Sequence, residues 1–254
     1  MTLESYLRGR GRKVLAPYIT CGFPSPDEFP TLLRGVVDAG ADLLEIGIPF
    51  TDPLMDGPVV QRASDDALTS EMRPAVVLRT LGQLDVGVPF VFMSYVNPIV
   101  ALGWDEFAAQ AALAGATGAI VPDLPAEEAE DWVAAARTHH LDPVFMVAPT
   151  TTPDRLSRIV EIGGGFVYCV SLLGVTGARA SLSARARPVV EMVRAATDRP
   201  ALVGLGVSTP EHAAEVCSFA DGAIVGSALL QAVYDGGVEG GVRLIKEMRA
   251  AIDG

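Results

Sequence analysis

Eight short apolar runs alternate with amphipathic, alanine-rich segments from one end of this 254-residue chain to the other. The runs are Val14–Thr20, Leu43–Ile48, Phe90–Val96, Gly118–Asp123, Pro143–Val147, Phe166–Ser171, Ala201–Leu205 and Gly222–Val225. Each is short and apolar, and the second is stopped by Pro and Gly, which reads as a buried strand. Between them the spacing predicts helices over Asp27–Ala39, Pro74–Leu84, Trp104–Ala114, Ala126–His139, Asp154–Ile162, Ser183–Ala196 and Pro210–Ser218, with Val238–Ile252 closing the chain. Two further short helices are expected after Pro58 and after Ser227. Strands that are apolar throughout need cover on both faces, which parallel pairing with helical crossovers supplies. AGADLLEIG (39–47), AGATGAIVPD (114–123) and FADGAIVGS (219–227) repeat one pattern: helix end, small-residue turn, apolar strand. Eight such units predict a single-domain (β/α)8 barrel over 1–254, with extra short helices. The rival is an open doubly wound sheet, but its GxGxxG turn is missing after the first strand, where CGFPSP stands instead.

The second run carries a carboxylate, Glu45, inside an apolar strand. Charge in such a place is costly unless it is paired or has a task. Asp52 and Asp56 follow in a loop broken by Pro49 and Pro53, before Gly57-Pro58 opens a helix. Glu45 and Asp56 could flank one small substrate; equally, Glu45 could pair with a core Arg, Lys or phenol, and Asp56 could only make a turn. In a barrel the chemistry belongs at the C-terminal strand ends. Those positions hold Tyr18, Thr20, Tyr95, Asn97, Asp123, Tyr168, Ser171, Gly204, Gly206, Ser208, Gly226 and Ser227. Gly174 and Gly177 bracket a loop after the sixth strand, GLGVS follows the seventh, and Gly226-Ser227 ends the eighth, with Ser227 placed to cap a helix. Glycine N–H groups at a helix N-terminus suit a phosphate, and this fold uses these loops for one. The same glycines could serve only as tight turns. Asp123 could hold a loop or touch substrate, and His139-His140 reads as a solvated pair at a helix end.

The net charge of −12 argues against nucleic-acid or anionic-membrane binding. No stretch reaches the roughly 20 apolar residues of a membrane span, and the N-terminus lacks a signal-type apolar core. Cys21, Cys169 and Cys217 are scattered and apolar in context, as expected of reduced core residues in a cytoplasmic protein. No Cys/His spacing resembles a metal site.

LLEIGIPFTDPLMDGPVVQRA, followed in order by GVTGAR, GLGVS and GAIVGSA, closely resembles the tryptophan synthase α-subunit family, nearly end to end. The resemblance implies retro-aldol cleavage of indole-3-glycerol phosphate to indole and glyceraldehyde 3-phosphate, with no metal and no organic cofactor. It assigns the strand acid to Glu45 and the loop acid to Asp56. It assigns phosphate binding to Gly177, Gly206, Gly226 and Ser227, the mobile-loop threonine to Thr176, and the indole pocket to Tyr18, Tyr95 and Tyr168. It also implies a pyridoxal-phosphate β subunit in an α2β2 complex. Met55 departs from the small residue usual before the loop aspartate. Alternatives are a self-sufficient indole-releasing lyase, a non-catalytic barrel that activates a partner, and another phosphate-sugar isomerase or aldolase. The last would want a Schiff-base lysine or a metal, and Lys13 and Lys246, the only lysines, are badly placed.

Overall fold

The computed structural model describes residues 2–170 and 182–254. Its strands β1 (Val14–Thr20), β2 (Leu44–Gly47), β3 (Phe90–Met93), β4 (Gly118–Ile120), β5 (Asp142–Val147), β6 (Val167–Val170), β7 (Ala201–Gly204) and β8 (Gly222–Val225) close into a barrel in chain order. Every pairing is parallel, and Val14 opposite Gly222 shuts the ring. The expected fold is the observed one. Gly222 permits that closure: a Cβ there would lie 2.5 Å from the Val14 carbonyl oxygen.

Alternation along the strands sorts side chains into two cores. Leu43, Val91, Ile120, Val144, Leu202 and Ile224 point into the barrel. Leu15, Ile46, Phe92, Phe145, Val203 and Val225 point out, against the helices. Those helices include α2 (Phe29–Asp38), α3 (Pro58–Thr69), α4 (Pro74–Leu81), α6 (Trp104–Leu113), α7 (Glu130–Thr138), α8 (Pro153–Ile162), α9 (Leu182–Ala196), α10 (Pro210–Cys217) and α11 (Ser227–Asp253). Pro at the first helical position starts α3, α4, α8 and α10, where its missing N–H costs no bond. A crossover helix runs back along its strand, so its N-terminus lies at the mouth, beside the strand C-termini. α11 is interrupted at Gly236 and Gly237, whose backbone is not helical. The sequence expected two helices on either side of that point.

Several boundaries differ from expectation. The third strand stops at Met93, and Val96–Leu102 forms a separate helix, α5. Its first N–H is taken by the Asp123 side chain at 3.0 Å, so that carboxylate is a cap. Ala126–His139 is a 3-10 turn (Ala126–Glu128) followed by α7. An N-terminal helix, α1 (Leu3–Gly9), was not expected; the Thr2 hydroxyl caps it, and Leu3 and Leu7 plug the bottom of the inner core.

At that lower end lies the most heavily bonded side chain of the described residues, Asp42, which is fully buried. Its Oδ1 accepts from Arg10 (2.6 Å) and Arg12 (2.7 Å), and its Oδ2 accepts from Arg249 and the Leu15 N–H, both at 3.1 Å. The start of β1, the lead into β2 and the end of α11 thus meet on one carboxylate. Gly40 leaves room for Arg249: a Cβ there would lie 2.6 Å from its Cγ. Cys21, Cys169 and Cys217 are buried and unpaired with one another. Among the described residues no helix is long and apolar enough to cross a membrane.

Candidate active site

Glu45 sits on β2, opposite Tyr18 of β1 and Val91 of β3, and faces the barrel interior. It is 2% exposed, and its Oε2 has no hydrogen-bond partner among the described residues. Among the described residues no Arg or Lys forms an ion pair with Glu45. Burial pushes the carboxyl up to about 8, with the charge of Asp56 adding to the rise.

Asp56 ends the loop above Glu45. The loop is a compact turn: Leu54 N–H donates to Asp52 O at 2.9 Å, and Asp56 N–H donates to Pro53 O at 3.0 Å. Asp52 serves the turn itself, accepting from the Thr51 hydroxyl at 2.6 Å. Gln61, one turn into α3, donates to Asp56 O at 2.9 Å. Tyr95 holds the loop from the barrel side. Its hydroxyl accepts the Met55 N–H at 3.0 Å and bonds to the Asp56 carboxylate. Its ring meets Phe50 at 5.5 Å between centroids. Burial raises Asp56 to about 6, and the Tyr95 bond opposes that rise.

Two more phenols line the mouth, each over a glycine of the neighbouring strand. A methyl group at Gly47 would overlap the Tyr18 hydroxyl, and one at Gly204 would overlap that of Tyr168. Tyr18 Oη lies 3.3 Å from Thr20 Oγ1. Burial raises both phenols, and the charges of Glu45 and Asp56 raise both further. Tyr18 stands opposite Glu45 in the strand register, and the charges of Glu45 and Asp56 reach both phenols at the mouth.

Of the glycine turns, Gly206 has φ +110°, a conformation that needs glycine. Ser208 is engaged sideways with His212 Nδ1 at 3.1 Å. Gly226, not Ser227, is the N-cap of α11; Ser227 is the first helical residue and is exposed. The expectation was one residue off because Gly226 has the non-helical backbone of a cap (φ −109°, ψ −88°). A Cβ on Gly57 would lie 4.0 Å from Ser227 Oγ, so the N-termini of α3 and α11 converge. Gly174, Thr176 and Gly177 lie outside the described residues. His139 is away from the mouth, bonded to Asp105 at 2.9 Å. Gly47 and Gln61 were not found from the sequence. Recognising Gly47 needs the β1–β2 register, and Gln61 carries no signal beyond its place one turn into a helix.

Two carboxyls with separated titration ranges, set among phenols at the C-terminal end of a closed parallel barrel, describe an acid–base barrel enzyme. Residues 5–250 match the family model described as "Tryptophan synthase alpha chain". The chain belongs to the tryptophan synthase alpha chain family, lyases that cleave indole-3-glycerol phosphate to indole in tryptophan biosynthesis. It is similar to the alpha chain of Solibacter usitatus, with 45% identity over 229 residues, 89% of this chain and 86% of that one. The alpha chain of Streptomyces coelicolor is 43% identical over 254 residues, 97% and 94% of the two chains. Among solved structures, tryptophan synthase of Mycobacterium tuberculosis superposes with a TM-score of 0.88 at 37% identity, covering 98% of this chain and 96% of that one. The alpha subunit from Legionella pneumophila gives 0.88 at 36%, covering 99% and 97%.

Proposed function

We propose that Glu45 and Asp56 perform the cleavage as a complementary pair. The observation that carries this reading is the buried Glu45 carboxyl, its Oε2 without a partner among the described residues, held near 8 while Asp56 lies near 6. At neutral pH Glu45 then carries a proton and Asp56 is ionised. Glu45 delivers its proton to C3 of the indole ring, and Asp56 stabilises the positive charge that develops at N1–H. The bond from C3 to the side-chain carbinol carbon breaks, and its electrons return to the ring. The carbinol hydroxyl loses its proton to Glu45 and becomes the aldehyde. One proton thus moves from oxygen to carbon, and Glu45 ends as it began. Tyr18, Tyr95 and Tyr168 wall the indole, and the phosphate lies at Gly206, Gly226 and Ser227. Gly177 and Thr176 complete that end in this reading. The convergence of two helix N-termini beside Ser227 supports an anion there.

The partner in this reading is a β subunit, assembled as α2β2. Several solved relatives are tryptophan synthases, which supports it. So does the outer face of the Asp56 loop. Leu54 is 88% exposed and Met55 52%, so neither folds inward as a lid. Beside them is a surface hollow of about 210 Å³ lined by Thr51, Asp52, Pro53, Leu54, Gln61 and Asp65. Pressure on Met55 would pass through its N–H to Tyr95, and so to Asp56. The test is indole release from indole-3-glycerol phosphate, with and without a β subunit. The expected result is a severalfold or greater rise with the partner, abolished by Met55→Asp while the unpartnered rate holds. Full activity alone, unchanged by any β subunit, makes this a self-sufficient lyase.

A further inference from the structure

α3 and α11 lie side by side, both with their N-termini at the mouth. Asp56 stands two residues before Pro58, the first residue of α3, and α11 opens at Gly226-Ser227. Deeper along the same pair, away from the substrate space, a second contact binds the helices. The Arg62 guanidinium lies over the Tyr234 ring, 3.9 Å from its centroid. The Tyr234 hydroxyl donates to Asp66 Oδ2 at 2.6 Å. Phe23, from the loop after β1, meets the same ring edge-on at 4.8 Å. Arg62 and Asp66 are one turn apart on α3, so they grip one phenol at two levels. A stacked guanidinium and a charge-assisted bond both have directional preferences, so together they resist sliding and tilting of α3 on α11.

We infer that Tyr234, gripped by Arg62 and Asp66, is a positioning residue that sets the span between the Asp56 carboxylate and the anion-binding end of α11. The inference rests on the roles proposed above for Asp56 and for Gly226-Ser227. Geometry gives it leverage. Tyr234 lies seven residues beyond Ser227, about 10 Å along the axis at 1.5 Å per residue. A tilt of only about 6° at that pivot moves the tip of α3 by about 1 Å. Misplacement on that scale can cost an enzyme about a hundredfold in rate. Tyr95 and Gln61 hold the Asp56 loop at the mouth, but among the described residues α3 and α11 themselves meet there only at Gly57 and Ser227, where a Cβ on Gly57 would lie 4.0 Å from Ser227 Oγ.

The test uses the full chain and indole-3-glycerol phosphate. Tyr234→Leu is expected to lower kcat by about tenfold to a hundredfold, with KM changing far less. Tyr234→Phe keeps the ring beneath Arg62 and loses only the bond to Asp66, so it should fall between wild type and Tyr234→Leu. Combined with Asp56→Asn, Tyr234→Leu should lower the residual rate no further, because its effect runs through Asp56. Circular dichroism checks the fold. If Tyr234→Leu does not fold, Tyr234→Phe and Asp66→Asn carry the same comparison. Wild-type kcat in a folded Tyr234 variant, with only the melting temperature reduced, overturns the inference. So does an equal fold-loss with and without Asp56. A failure of the underlying site reading is visible separately, as near-normal turnover in Asp56→Asn alone.

Discussion

Glu45 and Asp56 differ in how far each is removed from water and in whether a phenol bonds to it. Glu45 lies within a strand and keeps its proton to about 8; Asp56 lies at the rim, bonded to Tyr95, and gives up its proton near 6. The cleavage rate should therefore rise as Asp56 ionises and fall as Glu45 loses its proton. A bell-shaped profile of kcat/KM with limbs near 6 and 8 is expected. Glu45→Gln and Asp56→Asn should each lower the rate by about two to four orders of magnitude while leaving the circular dichroism unchanged. Near-normal turnover in either variant, or a profile flat from 5 to 9, ends the assignment. Glu45 was legible in the sequence because an acid in an apolar strand is conspicuous. Asp56 was legible only with its motif, since Asp-Gly-Pro by itself also describes an ordinary turn. The service of Tyr95 to Asp56 was not legible at all: it joins residues about forty apart, through a loop conformation that no periodicity encodes.

Helices and strands were read well where apolar spacing alone shapes them, and poorly where a distant group does. All eight strands lie inside or within a residue of their expected runs. α5 was missed because its cap comes from Asp123, which a reader of Val96–Leu102 has no reason to consult. α1 was missed because seven residues give too little periodicity, and its purpose, plugging the inner core, exists only once the barrel is closed. The turn after β7 tests the phosphate reading. Gly206→Asp places a negative charge beside the expected anion and should raise KM steeply, with free indole binding as before. Because Gly206 has φ +110°, any side chain there is strained, and Gly206→Ala separates the two effects. If Ala raises KM as much as Asp, strain and not charge is responsible. Equal loss of indole binding would mean that the pocket had collapsed.

The whole molecule is a barrel with one end sealed and the other equipped. The sealed end hangs on Asp42, which gathers Arg10, Arg12 and Arg249 from both extremities of the described chain. Removing one member of a buried ionic network leaves the rest uncompensated, so Asp42→Ala should cost about 3–5 kcal/mol in urea or thermal unfolding. Its kcat well below the melting temperature should stay near wild type. A large loss of kcat without loss of stability would contradict that division of labour. The equipped end receives the N-termini of the crossover helices, each bearing a partial positive charge. The chain around it has a net charge of −12. If the phosphate binds where proposed, a phosphorylated substrate is repelled from afar and held only at the rim. Salt shortens the far field to about 8 Å at physiological strength, while the helix ends act at contact. Stopped-flow association of glyceraldehyde 3-phosphate should then quicken as salt is added, the reverse of most anion-binding proteins. A steep slowing would mean that the rim governs the approach from long range. For such a molecule dissolved salt is a lubricant: it would let a phosphate ester through a cloud of like charge to the helix ends that favour it.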